Sequence, residues 1–448
     1  MHWYLTDEEV MFVRNQLAEL RTHMNYVPGK WCLSGLNCKP EVMGLSLPDH
    51  MPKKVLLRDI SLRTALQVNG VSLTKDERVR LLQALSELGV SSFQISMGWR
   101  SRGYTMEQMQ EEIKICKRLN PDAEVELGGV ATTDGIDELL KMGANCASIQ
   151  GPANYAISSF YGGGEIESMT WAGKDWRNLA HPPKSLDELV ERNKPLIDYA
   201  NRHGMRIKAS LNMLHWADEA TIERFAREMG NAGAYYISLQ DGPGAMSPRA
   251  IAYAVLIAKK AAPNTKIAVH CHNTFGLGIE RALTAIQAGA EMVECRINGI
   301  DSLGGGTDIQ VLAGTLEVMY GVDTGLKLDQ FTDLRRLGED IFRYPVERNH
   351  PITGEEYYTY SNSTEVDIDP LIHGTIDPSV FGGKWESHIG SITRNWAMLD
   401  KLVELDIPVD KAEAEAINKA ARAESTIRKR SLTDDEVRNI AMKIKGNK

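Results

Sequence analysis

The sequence predicts an α/β protein built on a (β/α)8 TIM barrel, with an N-terminal arm before it and a mostly helical region after it. Three observations carry this. From about residue 55 to 320, a short β-rich run is followed by an amphipathic helical run, and the pair recurs about eight times. Most strand-to-strand steps are roughly 25–35 residues, which leaves room for a helical crossover between parallel strands. No G-x-G-x-x-G follows the first strand, so an open doubly wound sheet ranks below a closed barrel.

In chain order, residues 1–54 form the arm, with one helix expected over Asp7–His23 and an irregular stretch after it. The strand candidates are Val55–Ser61, Ser91–Met97, Ala123–Leu127, Cys146–Gln150, Arg206–Leu211, Tyr235–Leu239, Ile267–His272 and Met292–Ile297. Several are apolar on both faces, as strands covered on both sides should be. The helices between them carry start signals. Thr74-Lys75-Asp76-Glu77 and Thr105-Met106-Glu107-Gln108 read as capping boxes, Ser185 opens another helix, and Ser247-Pro248 places an N-cap before a first-turn proline. Gly89, Gly143 and Gly289 follow helices, where a left-handed cap is favoured. The long connection Gly151–Lys184 mixes Gly162-Gly163-Gly164 with Tyr155, Phe160, Trp171 and Trp176. It reads either as a lid over the barrel mouth or as a self-packed surface insertion. The barrel is expected over 55–322 and helical subdomains over 323–448. The charged tail Lys411–Lys445 reads most simply as a helical, solvated face.

Composition narrows the function. The chain has 448 residues, a formal charge of −9, and 43% hydrophobic against 25% charged residues. Without a basic excess, general nucleic-acid binding is not expected. No apolar stretch reaches the roughly 18 residues of a membrane span. The N-terminal run lacks the basic and apolar regions of a secretory signal. The 6 cysteines are scattered, which fits a reducing cytoplasm better than a disulfide scaffold. Cys32 and Cys38 have the wrong spacing for the usual zinc pairs.

Barrel chemistry sits at the C-terminal ends of the strands. The seventh strand ends in Val269-His270-Cys271-His272-Asn273. Residues two apart on a strand share a side, so His270 and His272 could ligate one divalent metal, or be one core and one surface histidine. After the first strand, Arg63 and Gln67 fall near the mouth, where an arginine can hold a carboxylate or a developing oxyanion. Gln94, Gln150, Lys208, Asn212, Asp241 and Asn298 sit at other strand ends. The Gly-rich run after Asn298 could bind an anion through backbone N–H groups or be only a flexible turn.

Asp59–Gln67, Val71–Thr74, Ile237–Asp241, His270–Gly276 and Asn298–Ile300 together resemble the pyruvate-carboxyltransferase-like superfamily. Its members include 2-isopropylmalate synthase, homocitrate synthase, 3-hydroxy-3-methylglutaryl-CoA lyase and the biotin carboxyltransferases. A weaker likeness to the synthases' post-barrel subdomains lies in His350–Glu355 and Ile376–Gly382. The resemblance implies a divalent metal (Mg, Mn or Zn) held by His270 and His272, with Arg63 stabilising an enolate or alkoxide oxygen. It also implies small 2-oxo or hydroxy acid substrates, CoA thioesters among the reactants, and a homodimer.

The sequence departs from the family pattern at several points. The family's aspartate after the arginine is Thr64, a poorer ligand for a hard cation. Its strand-two glutamate is Gln94, and Gln240 replaces the carboxyltransferases' lysine. Glu365 falls where the synthases carry a catalytic histidine. Asp301, Asp241 or Asp59 could supply the missing charge, the metal could be softer than Mg2+, or the metal could be lost. The expected function is a metal-dependent enzyme that makes or breaks a carbon–carbon bond beside a carbonyl. The expected catalytic residues are Arg63, Gln67 and Glu365, and the expected metal ligands His270, His272, Thr64 and Asp301. Gln94, Lys208, Asn273, Asn298 and Asp241 are expected around the substrate. The alternatives are a metabolite- or partner-binding pseudoenzyme and a carboxyltransferase.

Overall fold

Eight parallel strands close into a barrel: β1 (Leu56–Asp59), β2 (Ser92–Gln94), β3 (Glu124–Gly129), β4 (Cys146–Pro152), β5 (Arg206–Asn212), β6 (Tyr236–Asp241), β7 (Lys266–Cys271) and β8 (Met292–Cys295), with β8 hydrogen-bonded back to β1. The computed structural model describes residues 51–99, 103–152, 186–360, 371 and 374–446, together with 25–33 and single positions between 7 and 22. All eight expected strands form, each within a few residues of the expected ends. The aromatic-and-glycine connection, apart from Gly151 and Pro152, lies outside the described residues, as do Ser185 and Glu365.

The helices that return the chain between strands are α1 (Lys75–Leu88), α2 (Met106–Lys117), α3 (Thr133–Met142), α4 (Leu186–Arg202), α5 (Glu219–Asn231), α6 (Pro248–Ala261), α7 (Gly278–Gln287) and α8 (Ile309–Tyr320). α1 starts on a complete capping box. The Thr74 hydroxyl accepts from the Glu77 N–H at 3.2 Å, and the Glu77 carboxylate accepts from the Thr74 N–H at 2.8 Å. The second expected box is only half made. Thr105 accepts from the Gln108 N–H, but the Gln108 amide donates to Glu112 instead of reaching back. Thr74→Ala removes one of α1's few N–H acceptors and is expected to cost about 1 kcal/mol. A melting point lowered by a few degrees checks this; an unchanged one means the first turn is held by packing alone.

Strand residues are buried on both faces. Along β7, Ile267, Val269 and Cys271 alternate with Ala268 and His270, and all five are buried. The lumen is layered. Tyr236, Ala268 and Met292 form a small apolar cluster with Leu56 against it. One step along each strand pair, the register brings Arg58 beside Glu294 and Glu294 beside His270. The layer nearest the strand C-terminal ends is therefore charged.

The chain divides into two compact units. One runs over Pro40–Val346 and holds the barrel together with α9 (Phe331–Phe342). The other joins Met1–Lys39 to Glu347–Lys448. In the second unit, the described residues near the N-terminus include helical positions between Asp7 and Arg21 and a hairpin of Asn25–Val27 with Trp31–Leu33. The charged tail is more than a solvated face. α11 (Lys411–Arg428) and α12 (Asp434–Gly446), with α10 (Asn395–Glu404) before them, bury Met398, Leu402, Ile417, Ala421, Val437 and Ala441 against one another. Spaced alanines and single aliphatics carried that stripe, and the surrounding charges masked it in the sequence. No helix among the described residues is long and apolar enough to cross a membrane.

Candidate metal and anion site

His270 and His272 stand together at the end of β7, with ring centroids 5.2 Å apart. Each ring is oriented through Nδ1. His270 Nδ1–H donates to the Glu294 carboxylate at 2.8 Å, and His272 Nδ1–H donates to the Ser302 carbonyl at 3.2 Å. Both partners only accept, so the Nδ1 atoms carry the protons and both Nε2 atoms keep their lone pairs. This is how outer groups orient metal-ligating histidines. Asp301 completes the set, and the donor atoms of the three residues lie within 4.8 Å of one another. His272 Nε2 and Asp301 Oδ2 face each other at 3.6 Å. Two imidazoles with a carboxylate suit a borderline ion such as Zn2+. The donor set fits a divalent metal.

Beneath this set a hydrogen-bonded run of buried charges crosses the lumen. Arg58 pairs with Glu124 at 2.6 Å and with Glu126, and Glu126 also receives Lys208 at 3.1 Å. Lys208 pairs in turn with Glu294, which holds His270. Burial alone would raise the Glu294 carboxyl, but the Lys208 ammonium and the His270 N–H outweigh it and hold the group well below the usual carboxylate range. Burial would likewise raise Asp301, and Arg296 with the two histidines pulls it down. Burial, reinforced by the Arg296 guanidinium, pushes His270 down to about 3. His272 is lowered by burial, partly offset by Asp301.

Arg63 sits half-buried on the helical turn Ser61–Thr64 that follows β1. Its guanidinium lies in the field of Glu294 and Asp301. Its Nε is buried without a partner, and its side chain hydrogen-bonds to no described residue. It is a cation ready for an anionic ligand.

Other expected site residues have side chains engaged with groups of the protein itself. The Asn298 amide bonds to two helices. It donates to the Arg335 carbonyl at 3.1 Å and accepts from Gln310 at 2.8 Å, with the backbone left-handed at φ 54°. Both Asp241 oxygens accept backbone N–H groups, from Ala245 at 3.1 Å and Met246 at 2.9 Å, so it fastens the turn after β6. Lys208 is spent on Glu126 and Glu294. Gln94 donates to Glu126, Asn273 accepts from the Gly278 N–H at 2.9 Å, and Gln67 is exposed. Thr64 is buried with its hydroxyl 3.3 Å from the carbonyls of Ile60 and Ile300, so its proton is directed to the backbone. Of the expected residues, the structure brings Arg63, His270, His272 and Asp301 together. Two participants went unread in the sequence: Glu294, which orients His270, and Arg296, whose guanidinium lies 2.7 Å from Asp301 and 2.8 Å from His270 Nε2. Their signal was a pair of charges two apart in an otherwise apolar strand.

The shifted groups set a pH dependence. In the fold His270 titrates near 3, against about 6.5 in the unfolded chain. Between those values the unfolded chain binds the extra proton. His270 therefore leaves stability intact above pH 6.5 and removes roughly 1.4 kcal/mol per unit as pH falls through the window. Asp59, buried and only partly compensated by Ser61, is raised to about 7 from an ordinary value of 3.8. The folded state binds its extra proton, so its contribution is present at low pH and lost as pH rises toward 7. The two slopes oppose each other between about pH 4 and 6.5. Asp59→Asn removes the counterweight, and its melting point is expected to fall more steeply than wild type from pH 6.5 to 4.5. Parallel profiles would show that the two groups do not offset each other.

Residues 176–337 match the HMGL-like family model. The chain is 30% identical over 372 residues to 2-isopropylmalate synthase of Methanocaldococcus jannaschii, covering 81% of this chain and 65% of the relative. It is 25% identical over 414 residues to a putative (R)-citramalate synthase of Methanopyrus kandleri, covering 88% and 73%. The chain thus spans just under two thirds of the length of the first of these. Among solved structures it is similar in fold to hydroxymethylglutaryl-CoA lyase from Pseudomonas aeruginosa, with a TM-score of 0.53, 18% identity, and 66% and 95% of the two chains covered. An HMG-CoA lyase from Acinetobacter baumannii, solved with coenzyme A and 3-methylmalate, gives a TM-score of 0.52 at 14% identity, over 66% and 93%.

Proposed function

Because this barrel belongs to the HMGL-like, pyruvate-carboxyltransferase superfamily, we propose that the protein makes or breaks a carbon–carbon bond beside a carbonyl. The substrate class is a small 2-oxo or hydroxy acid, with an acyl-CoA thioester as the other reactant. The relatives are synthases and lyases of this kind, and family members use a divalent metal. The observation that carries the reading is the convergence of His270 Nε2, His272 Nε2 and Asp301 beside Arg63, whose Nε has no partner among the described residues.

When bound, a divalent ion supplies Lewis acidity at the carbonyl or carboxylate of the substrate. His270, His272 and Asp301 would hold it, and Glu294 fixes the tautomer of His270. Arg63 receives the substrate carboxylate or the oxygen on which negative charge grows, as a guanidinium fork suits either. Glu365 is the proposed general base, by analogy of position with the synthases' histidine. The Lys208 ammonium, held between two carboxylates, is not available for that role. The proposal includes a homodimer working in the cytoplasm, with dimer mass readable by light scattering.

The test is turnover. Purified protein with Mg2+, Mn2+ or Zn2+ is incubated with a panel of 2-oxo acids and acyl-CoA thioesters, and free CoA is followed. The reverse cleavage is assayed on the matching hydroxy acids and their CoA esters. Metal-dependent turnover is expected, with Arg63→Ala lowering kcat by roughly 100-fold, the scale of losing one oxyanion donor. Absence of turnover in both directions, with an oxo acid still protecting the protein against heat, would replace this reading by a non-catalytic metabolite binder. That second reading is favoured by one observation, the arginine already seated on the metal-ligating atoms.

A further inference from the structure

Arg296 is fully buried at the end of β8, and all of its N–H groups have acceptors. Nε and Nη2 both donate to Asp301 Oδ2, at 2.8 and 2.7 Å. Nη1 donates to the backbone carbonyls of Glu294 at 3.0 Å and Cys271 at 3.4 Å. Nη2 also donates to His270 Nε2, at 2.8 Å. A neutral imidazole has one lone pair on Nε2, because the proton is on Nδ1 against Glu294. That lone pair can accept from the arginine or bind a metal, but not both. The same holds in space. An ion at roughly 2.0–2.2 Å from His270 Nε2 and Asp301 Oδ2 would meet a nitrogen that already lies within 2.8 Å of both atoms.

The charge count agrees. Among the described residues, Arg58, Lys208, Arg296 and Arg63, with Arg206 at its edge, face Glu124, Glu126, Glu294 and Asp301 in the lumen. These carboxylates are matched by cations before any metal arrives, and two further positive charges beside a buried guanidinium would be costly. The seat for the arginine is also built. A Cβ at Gly306 would lie 2.5 Å from Arg296 Cζ and 2.7 Å from Cδ. Gly306 is not among the residues with positive φ, so the backbone does not demand glycine there. The guanidinium does.

We infer that Arg296 is the resident cation of the His270–His272–Asp301 site and competes with a divalent ion for it. Metal loads only as the guanidinium leaves, and the metal affinity of the protein is set by this arginine. The inference rests on reading those three residues as metal ligands, and the experiment separates the two. Co2+ is the probe, because its visible absorption reports tetrahedral nitrogen and oxygen ligation. The full chain is stripped with chelator and titrated as wild type, Arg296→Met and Gly306→Ala, with His270→Ala/His272→Ala in the Arg296→Met background. Gly306→Ala keeps the arginine and its charge but fills its seat, so the test survives if Arg296→Met fails to fold; circular dichroism checks both.

Expected are one Co2+ per chain, at least tenfold tighter binding by Arg296→Met and Gly306→Ala than by wild type, and no binding once both histidines are removed. Binding by the variants but not by wild type also supports the inference, and would mean that the arginine has displaced the metal in the native protein. Equal or weaker binding by both variants overturns it and leaves the metal reading standing. No binding by any protein overturns both.

Discussion

Replacing His270 and His272 together with alanine is expected to lower turnover by well over 100-fold and to abolish stoichiometric metal binding, while the barrel stays folded. Loss of an outer partner of a metal ligand costs roughly 10–100-fold, and here two of three ligands go. The fold should survive because both histidines lie at the mouth of the lumen, above the apolar cluster of Tyr236, Ala268 and Met292. Glu294 keeps Lys208, and Arg296 keeps Asp301 and two backbone carbonyls. Metal content by elemental analysis, circular dichroism and the carbon–carbon bond assay check the three parts. Full metal in the double variant would mean that the ion is held elsewhere and that the histidines only fill the lumen.

The barrel was readable because its signals are local and repeated. Each strand is a run whose apolar residues face helices on the outside, and caps such as Thr74, Thr105 and Ser247 mark where helices begin. His270 and His272 were readable because two-residue spacing at a strand end fixes a shared face. Arg63 was readable because it lies in the first helical turn after β1, four residues past Asp59. Asn298 and Asp241 also fall near strand ends, yet the Asn298 amide bonds to α8 and α9 and the Asp241 carboxylate fastens the turn after β6. A strand end fixes the position of a Cα, but the direction of the side chain depends on turn geometry, as the left-handed backbone at Asn298 shows. Arg296 was unreadable for a different reason. Its seat depends on the missing Cβ of Gly306, ten residues further on, and on acceptors drawn from two strands and a loop. Such a coincidence exists only in three dimensions.

Lys208→Met should be strongly destabilising. Lys208 is 1% exposed and stands between Glu126 and Glu294. Removing one member of a buried charge set leaves an uncompensated partner and costs about 3–5 kcal/mol, which is on the order of 10 °C in melting temperature for a unit of this size. Glu126 retains Arg58, so the penalty falls on Glu294, left with only the His270 N–H. The sign of the pH effect then discriminates between mechanisms. With Lys208 present, Glu294 is held ionised despite its burial. Without it, burial acts unopposed and the folded state prefers the protonated acid. The variant's deficit is then small near pH 4.5 and grows as pH rises above the unfolded carboxyl's roughly 4.3. Lys208→Met/Glu294→Gln, which removes the stranded charge, should recover most of the loss at pH 7.5. A deficit of the same size at both pH values, unrelieved by the second substitution, would assign the role of Lys208 to packing and remove the electrostatic account of how His270 is held.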